Sequence, residues 1–232
     1  SFERSLVVDS YHTVLVEDGS KYRFILSNGV FIGPNSNPEV SFRQVSMDPL
    51  EYEFRNADDR LDRFRLINGK YTLISSISRG GYAQWFHLNE NNKISEIVDS
   101  FGRRIFMEWS DDNVVSIRTP NTLLQYSYRK LTIGPFTIPG QEVMTGVSTS
   151  RLDGGEQTTI RYHYDDPSYS TLLTGITDEK GVRFATYSYN SEGQVLVSEH
   201  AHGAGRIDLS YPTNTTTVVS DGLGQRTYTF AG

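Results

Sequence analysis

Hydrophobic and polar residues alternate with period two along almost the whole chain. Because successive side chains of a strand point to opposite faces, this period predicts half-buried β-strands. Two alternating runs, residues 22–26 and 63–67, are followed by Asn28-Gly29 and Asn68-Gly69 and then by another strand-like run. Asn-Gly between such runs is the strongest short signal for a two-residue hairpin. Residues 48–62 are the one stretch in which we expect a short helical turn. The sequence therefore predicts an all-β fold.

Similar hairpin units recur along the chain. Strand-like runs that start at residues 74, 94 and 114 are each followed by a turn segment and an aromatic strand. Gly181, Gly203 and Gly224 also precede aromatic strands at a similar spacing. A single hairpin is marginal in water, so such units gain stability by joining edge to edge. We therefore predict one twisted antiparallel sheet of tandem β-hairpin repeats.

The repeats also suggest how the chain is organised. We predict a single repeat segment over residues 1–232, with a less regular part at 1–73 and hairpin repeats at 74–130. An irregular insertion is predicted at 131–157, where Gly and Pro are frequent, and a second set of repeats at 158–232. Both ends of the sequence fall within strand-like runs, so we expect the chain to belong to a longer one.

Composition and charge narrow the function classes. The net charge of −6 and the scattered Arg residues argue against nucleic-acid binding, which requires clustered basic residues. The chain has no Cys, which excludes disulfides, thiolate metal sites and thiol catalysis. No apolar run approaches the roughly 18 residues that a membrane-spanning helix needs. We expect neither nucleic acid as a partner nor membrane insertion by this segment.

A few polar clusters are candidates for catalytic or metal sites. His200 and His202 could share a strand face, but a metal site needs three or four ligands. Adjacent acids at 58–59, 111–112 and 165–166 are typical turn formers. An enzyme would require a pocket in which His163, Asp165 and Asp166 converge. We predict no catalytic residue, no metal, no cofactor and no enzymatic activity.

One sequence motif carries a family resemblance. Residues 187–194, Tyr-Ser-Tyr-Asn-Ser-Glu-Gly-Gln, resemble the RHS/YD repeat, whose core reads Tyr-x-Tyr-Asp-x-x-Gly-Arg. Residues 162–165 match the first half of that core, residues 99–103 fit its turn, and residues 172–181 and 221–228 resemble phrases common in bacterial RHS proteins. Asn190 and Gln194 replace the Asp and Arg of the motif. The predicted repeat-motif residues are Tyr162, Tyr164, Asp165, Gly181, Tyr187, Tyr189, Gly193, Gly224 and Tyr228.

The resemblance implies a long β-strip that curves into a hollow shell. In bacterial polymorphic toxins and toxin-complex components of this family, the shell encloses a C-terminal toxin or effector for delivery. The implied partners are neighbouring repeats of the same chain, the enclosed toxin and secretion-system or toxin-complex components. The implied location is secreted or delivered from a bacterium, after synthesis in the cytoplasm. The alternative function is an extracellular adhesion or carbohydrate- or receptor-binding β-module, which an exposed aromatic patch with Tyr82 and Trp85 would favour.

Overall fold

The computed structural model describes residues 4–8, 12–17, 20–33, 39–133 and 136–230. These residues form 21 strands and one short 3-10 turn, Ala201–Gly203. The strands pair antiparallel, almost always with their neighbours in the chain, which confirms the predicted all-β sheet of consecutive hairpins. The chain divides into two compact units, Ser1–Trp109 and Ser110–Gly232. The predicted single repeat segment, with its parts at 1–73, 74–130 and 158–232, stays a prediction.

The first unit contains eleven strands in the part of the chain that is described. They are β1 (Arg4–Val8), β2 (His12–Glu17), β3 (Ser20–Ser27), β4 (Val30–Ile32), β5 (Ser41–Met47), β6 (Leu50–Arg55), β7 (Leu61–Ile67), β8 (Lys70–Ile77), β9 (Ala83–Leu88), β10 (Ile94–Asp99) and β11 (Arg104–Ser110). In addition to its neighbour β2, β1 pairs with β8 through Leu6 and Tyr71. The sheet of this unit therefore folds back onto its own first strand.

The two Asn-Gly hairpins are confirmed. Asn28 and Gly29 have φ angles of 50° and 79°, and Asn68 and Gly69 have 49° and 79°. Positive φ at both central residues is the requirement of a type I′ turn, which Asn and Gly meet at little steric cost. The expectation of a short helical turn within residues 48–62 is wrong. This stretch forms β6 and the turn that leads to β7.

Aromatic side chains fill the core of the first unit. Phe24, Phe54 and Phe64 are fully buried. The Phe42 ring stacks on Phe24 at 5.3 Å and on Tyr52 at 5.1 Å between ring centroids. The buried residues of this core are Leu6, Phe24, Val40, Phe42, Tyr52, Phe54 and Phe64. Such large side chains supply most of the apolar area that stabilises a small β unit.

Tyr71 packs at the margin of the same core. Its ring lies 5.4 Å from that of Tyr52, in an edge-to-face arrangement. Burial, together with the neighbouring Tyr52 hydroxyl, raises the pKa of Tyr71 to about 12. The Tyr71 phenol therefore stays neutral at any physiological pH.

The second unit continues the hairpin pattern. Its strands in the described residues are β12 (Asn113–Arg118), β13 (Thr122–Ile133), β14 (Phe136–Arg151), β15 (Thr158–His163), β16 (Gly175–Thr177), β17 (Arg183–Tyr189), β18 (Val195–His200), β19 (Ile207–Thr213), β20 (Thr216–Asp221) and β21 (Gly224–Thr229). Each strand pairs with the next in chain order.

The irregular insertion expected at 131–157 is instead largely strand. β13 and β14 form a long hairpin that spans most of this stretch. The register shifts where the ladder passes from Lys130–Glu142 to Thr132–Thr137, and Pro139 and Gly140 fall inside that shift. Because the shift takes up the residues that suit a regular ladder least, the strands continue on both sides of it.

Candidate functional site

One turn recurs in nearly identical form between strands. Its first residue is Asn or Asp, whose side-chain oxygen accepts hydrogen bonds from the backbone N–H groups two and four residues later. The backbone carbonyl of the same residue accepts a hydrogen bond from the N–H three residues later, and its N–H donates to the carbonyl four residues later. The five turns in the described residues start at Asn56, Asn89, Asp99, Asp178 and Asn190. We call this feature the Asx turn.

The fourth residue of each Asx turn has a positive φ. It is Gly102, Gly181 or Gly193 in three turns, with φ angles of 75°, 77° and 78°. Asp59 and Asn92 take this position in the other two, at 61° and 58°. Gly adopts this region freely, and Asp and Asn tolerate it better than other residues. The predicted motif residues Gly181 and Gly193 therefore have a specific conformational role.

The Asx turn at Asp99 contains an ion pair between Asp99 and Arg103. These residues occupy the positions of Asp and Arg in the RHS/YD core that the sequence resembles. The Asp99 carboxylate accepts a 2.6 Å hydrogen bond from Arg103 Nε, and Asp99 is only 7% exposed. Burial acts to raise the pKa of Asp99, but hydrogen bonds from the Arg103 side chain and from the Arg103 and Phe101 backbone outweigh it, so the pKa lies below its usual range. The pair ties the two ends of the turn together.

A neutral pair replaces this ion pair in the turn at Asn190. Asn190 Nδ2 donates a 2.8 Å hydrogen bond to Gln194 Oε1. Relative to the Asp–Arg pair of the turn at Asp99, this pair therefore changes the charge but keeps the link between the first and fifth residues. The same geometry with two different chemistries indicates that the turn is the essential element, whereas the charge is exchangeable.

This equivalence gives a prediction for the turn at Asn190. Asn190→Ala removes an acceptor of two backbone hydrogen bonds, so we expect a loss of about 1–2 kcal/mol in the free energy of unfolding. The double variant Asn190→Asp with Gln194→Arg recreates the charged pair and should unfold at nearly the wild-type urea concentration near neutral pH. Urea unfolding followed by circular dichroism measures both.

The pH dependence of the free energy of unfolding provides the control for that prediction. The introduced carboxylate should have a lowered pKa, as Asp99 does, so its contribution is complete above the ordinary pKa of about 4 and is lost as the pH falls through the folded-state value. The wild-type Asn190–Gln194 pair should show no such loss. A double variant that is as unstable as Asn190→Ala near neutral pH would contradict the equivalence of the two turns.

Aromatic side chains also link neighbouring parts of the sheet near these turns. They do so through hydrogen bonds from the tip of the ring to a backbone carbonyl, which we call aromatic clasps. The Tyr189 hydroxyl donates to the Leu173 carbonyl at 2.6 Å, and Tyr211 donates to Val195 at 2.8 Å. Tyr128 donates in the same way to Val114, and the Trp109 indole N–H donates to Ile94. A ring that is apolar along its body and polar at its tip covers the sheet and still satisfies a carbonyl at or just before the start of the preceding strand. These clasps, with the Asx turns, make up the repeated structural site.

The remaining predicted motif residues lie in the second unit. Tyr162 pairs with Ile176 between β15 and β16, and Tyr187 pairs with Ser198 between β17 and β18. Gly224 and Tyr228 lie on β21, of which every residue is exposed. The motif residues are therefore distributed along the sheet and do not converge on one site.

The loop after β15 holds the other two motif residues. The Arg129 guanidinium lies 5.9 Å from the centre of the Tyr164 ring and donates to the Ser170 carbonyl at 3.1 Å. The Asp165 backbone N–H donates to Thr174 Oγ1 at 3.0 Å. Arg129 therefore holds the loop over residues 164–174 against β13, and the Asp165–Thr174 hydrogen bond joins the two ends of the loop.

The candidate catalytic residues take structural positions. Asp166 Oδ1 accepts from the Ser168 and Tyr169 backbone N–H groups at 2.8 and 3.0 Å, as a turn former does. The Asp165 side chain is 72% exposed and lies 3.9 Å from His163 Nδ1, while His163 Nε2 is 2.7 Å from Thr177 Oγ1. No group of three or more metal-ligating side chains occurs among the described residues.

The two paired histidines do not share a strand face. His200 ends β18 and its ring lies 5.0 Å from that of Phe184. His202 lies in the following 3-10 turn with a φ of 60°. The turn rotates the second imidazole away from the strand geometry that a shared face would require.

The aromatic residues Tyr82 and Trp85 have different surroundings. Tyr82 donates to Asp99 at 3.3 Å and its ring lies 6.0 Å from that of Phe101, so it belongs to the Asx turn there. Trp85, which is 42% exposed, lies in a cleft of about 570 Å³. The cleft is lined by Glu51, Arg63, Arg65, Ile67, Ile74, Ser75, Trp85, Phe86, His87, Leu88, Asn89 and Asn92. Sequence reasoning identified Trp85 but not Glu51, Arg63 and Arg65, which come from strands distant in the chain.

The similarities of this chain to known proteins are found among solved structures. No protein-family model and no curated protein matches the chain. A solved structure described as "Crystal Structure of TcdB2-TccC3-Cdc42" is similar over 97% of this chain and 18% of its own, at 9% identity and a TM-score of 0.24. A second, "Crystal Structure of TcdB2-TccC3 without hypervariable C-terminal region", is similar over 98% and 18%, at 10% identity and a TM-score of 0.22. TM-scores this low do not establish a shared fold. Among the described residues, no helix has the length and apolar character needed to cross a membrane.

Proposed function

We propose that this chain is a non-catalytic segment of an RHS-repeat cage that encloses a C-terminal toxin or effector for delivery from a bacterium. The observation that carries the proposal is the recurrence of one Asx turn five times in the described residues, together with aromatic clasps on neighbouring strands. Tandem units that differ in sequence but repeat one geometry are typical of a structural array rather than of a catalytic site.

The mechanism in this proposal is steric. Adjacent hairpins bury their backbone hydrogen bonds against one another, so a continuous sheet forms a wall that a protease or a folded protein does not penetrate. Asp166, one of the acids that catalysis would require, accepts backbone hydrogen bonds within a turn instead. Neighbouring repeats of the same longer chain, an enclosed toxin and delivery components would be the partners.

The test uses the complete natural protein to which this chain belongs. In the cage, the region that follows residue 232 should be cut by trypsin at least about tenfold more slowly than the same region made alone, since protection follows how rarely the enclosing structure opens. Asn190→Ala in the complete protein, which weakens one wall turn, should speed cleavage of that region.

Two outcomes would contradict the cage. One is a following region that trypsin digests equally fast in the complete protein and in isolation. The other is a complete protein that ends close to residue 232, with nothing for the wall to enclose.

A further inference from the structure

The strand β8 has two different neighbours along one of its edges. Its last part pairs with β9 through Ser75, Ser76 and Ile77. Its first part pairs with β1, where Tyr71 is opposed to Leu6. The other edge of β8 pairs with β7 on both sides of this division. β1 therefore occupies a part of the β8 edge that β9 does not reach.

A bulge in β8 separates these two parts. The register between β7 and β8 shifts between the pairs Arg63–Ser75 and Phe64–Leu73, so that Ile74 is an extra residue. An extra residue bends its strand and increases the local twist. Because of this bend, β8 follows β9 on one side of Ile74 and β1 on the other.

The contact with β1 completes a circuit of eight strands around the aromatic core. The strands from β1 to β4 and from β5 to β8 pair in chain order, and the Phe31 ring of β4 lies 4.8 Å from that of Phe42 on β5. Leu6 is 5% exposed and belongs to the core, against which Tyr71 packs. The next residue, Val7, is 63% exposed. β1 thus has one face on the core and the other in solvent.

Without β1, the edge of β8 over residues 70–73 would be open. An open edge presents unpaired N–H and C=O groups, which are a template for a strand of another chain. The stretch reads Lys-Tyr-Thr-Leu, in which Tyr and Thr favour strands and only Lys70 would discourage such pairing. The bulge at Ile74 lies beyond it and does not protect it.

We propose that β1 is a sealing strand, which covers this edge of β8 and keeps a second copy of the chain from pairing there. β1 pairs with β2 along its whole length but with β8 only through Leu6 and Tyr71, so the seal depends on the burial of Leu6. In an array of hairpins, such a seal acts as the cap that repeat proteins need at a terminal unit. The proposal does not rest on the cage, because it concerns strand pairing within the first unit.

Leu6→Arg is the variant that opens the seal, and Val7→Arg is its matched control. The first brings a charge into the aromatic core, so β1 should leave β8, whereas the second places the same side chain in solvent. In Leu6→Arg, hydrogen exchange followed by NMR should become at least about tenfold faster for the amides of residues 70–73 that face β1, and should change less than about twofold at residues 75–77. Val7→Arg should keep the wild-type rates in both segments.

Sedimentation velocity measures the consequence for self-association. At about 50 μM, Leu6→Arg should contain at least about twice the wild-type fraction of dimers and larger species, because the opened edge pairs between copies. Val7→Arg should sediment as wild type does. The proposal is overturned if Leu6→Arg also sediments as wild type does, or if its residues 70–73 keep the wild-type exchange rates.

A disulfide lock decides the case in which Leu6→Arg unfolds the whole unit. Leu6→Cys with Tyr71→Cys places two thiols on opposed residues of a chain that has no other Cys, so an intrachain disulfide should form under mild oxidation. The oxidised chain should self-associate less than the same chain after reduction. A disulfide that does not form, or equal self-association in the two states, would also refute the sealing role of β1.

Discussion

Phe54→Ala is expected to lower the free energy of unfolding of the first unit by about 3–5 kcal/mol. The Phe54 side chain is fully buried, with its ring 5.3 Å from Tyr22 and 6.1 Å from Phe24. Alanine would remove the apolar contacts and leave a cavity bounded by rigid aromatic rings, which collapse poorly around a void. Urea unfolding followed by tryptophan fluorescence measures the loss, since both tryptophans, Trp85 and Trp109, lie in this unit.

Phe101→Ala, which removes an exposed ring of the same unit, is the control for this measurement. Because Phe101 is 74% exposed, its removal should change the unfolding free energy by about 0.5 kcal/mol at most. If Phe54→Ala and Phe101→Ala unfolded at the same urea concentration, the aromatic core would not be the source of stability in this unit.

Asp62→Ala is expected to lower the free energy of unfolding by about 3 kcal/mol. Asp62 is 1% exposed, and its carboxylate accepts hydrogen bonds from Arg60 Nε at 3.2 Å and from Arg60 Nη2 at 3.0 Å. Removing the Asp62 carboxylate takes an ionic partner from the largely buried Arg60 guanidinium, and such a loss costs more than the pair itself contributes. Asp62→Asn, which keeps the shape and one acceptor oxygen, should lie between wild type and Asp62→Ala.

The matched control for Asp62 is an exposed pair of the same types. Asp153, whose side chain is 59% exposed, pairs with Arg151 two residues away. Asp153→Ala should leave the urea midpoint nearly unchanged, because solvent already screens such a pair. An Asp62→Ala chain as stable as Asp153→Ala would show that the buried carboxylate contributes nothing to the fold.

Turn chemistry is the part of this fold that could be predicted best from sequence. Asn28-Gly29 and Asn68-Gly69 fix type I′ turns by local sterics alone, and the turn at residues 99–103 follows from Asp and Gly three residues apart. The equivalent turns at Asn56 and Asn89 lack that Asp-to-Gly spacing, because Asp59 and Asn92 take the positive-φ position where Gly would have indicated this turn type.

Features that depend on strand register could not be predicted in the same way. The long β13–β14 hairpin passes through a segment whose Pro and Gly residues favour loops, and only its pairing on both sides of the register shift explains it. The Trp85 cleft is similar, because Glu51, Arg65 and Trp85 belong to three different strands. Period-two alternation says which face a side chain takes but not which residues lie opposite it.

The central claim is that successive strands of the hairpins pair side by side in one register. Cysteine cross-linking tests this claim most directly. The chain has no Cys of its own, so two introduced thiols report one contact. Opposed residues of antiparallel strands lie within disulfide reach, whereas a one-residue slip turns the side chains to opposite faces. The pairs Tyr162→Cys with Ile176→Cys and Val197→Cys with Asp208→Cys lie in register and should form disulfides under mild oxidation. Tyr162→Cys with Thr177→Cys should not, and preferential cross-linking of that slipped pair would contradict the sheet described here.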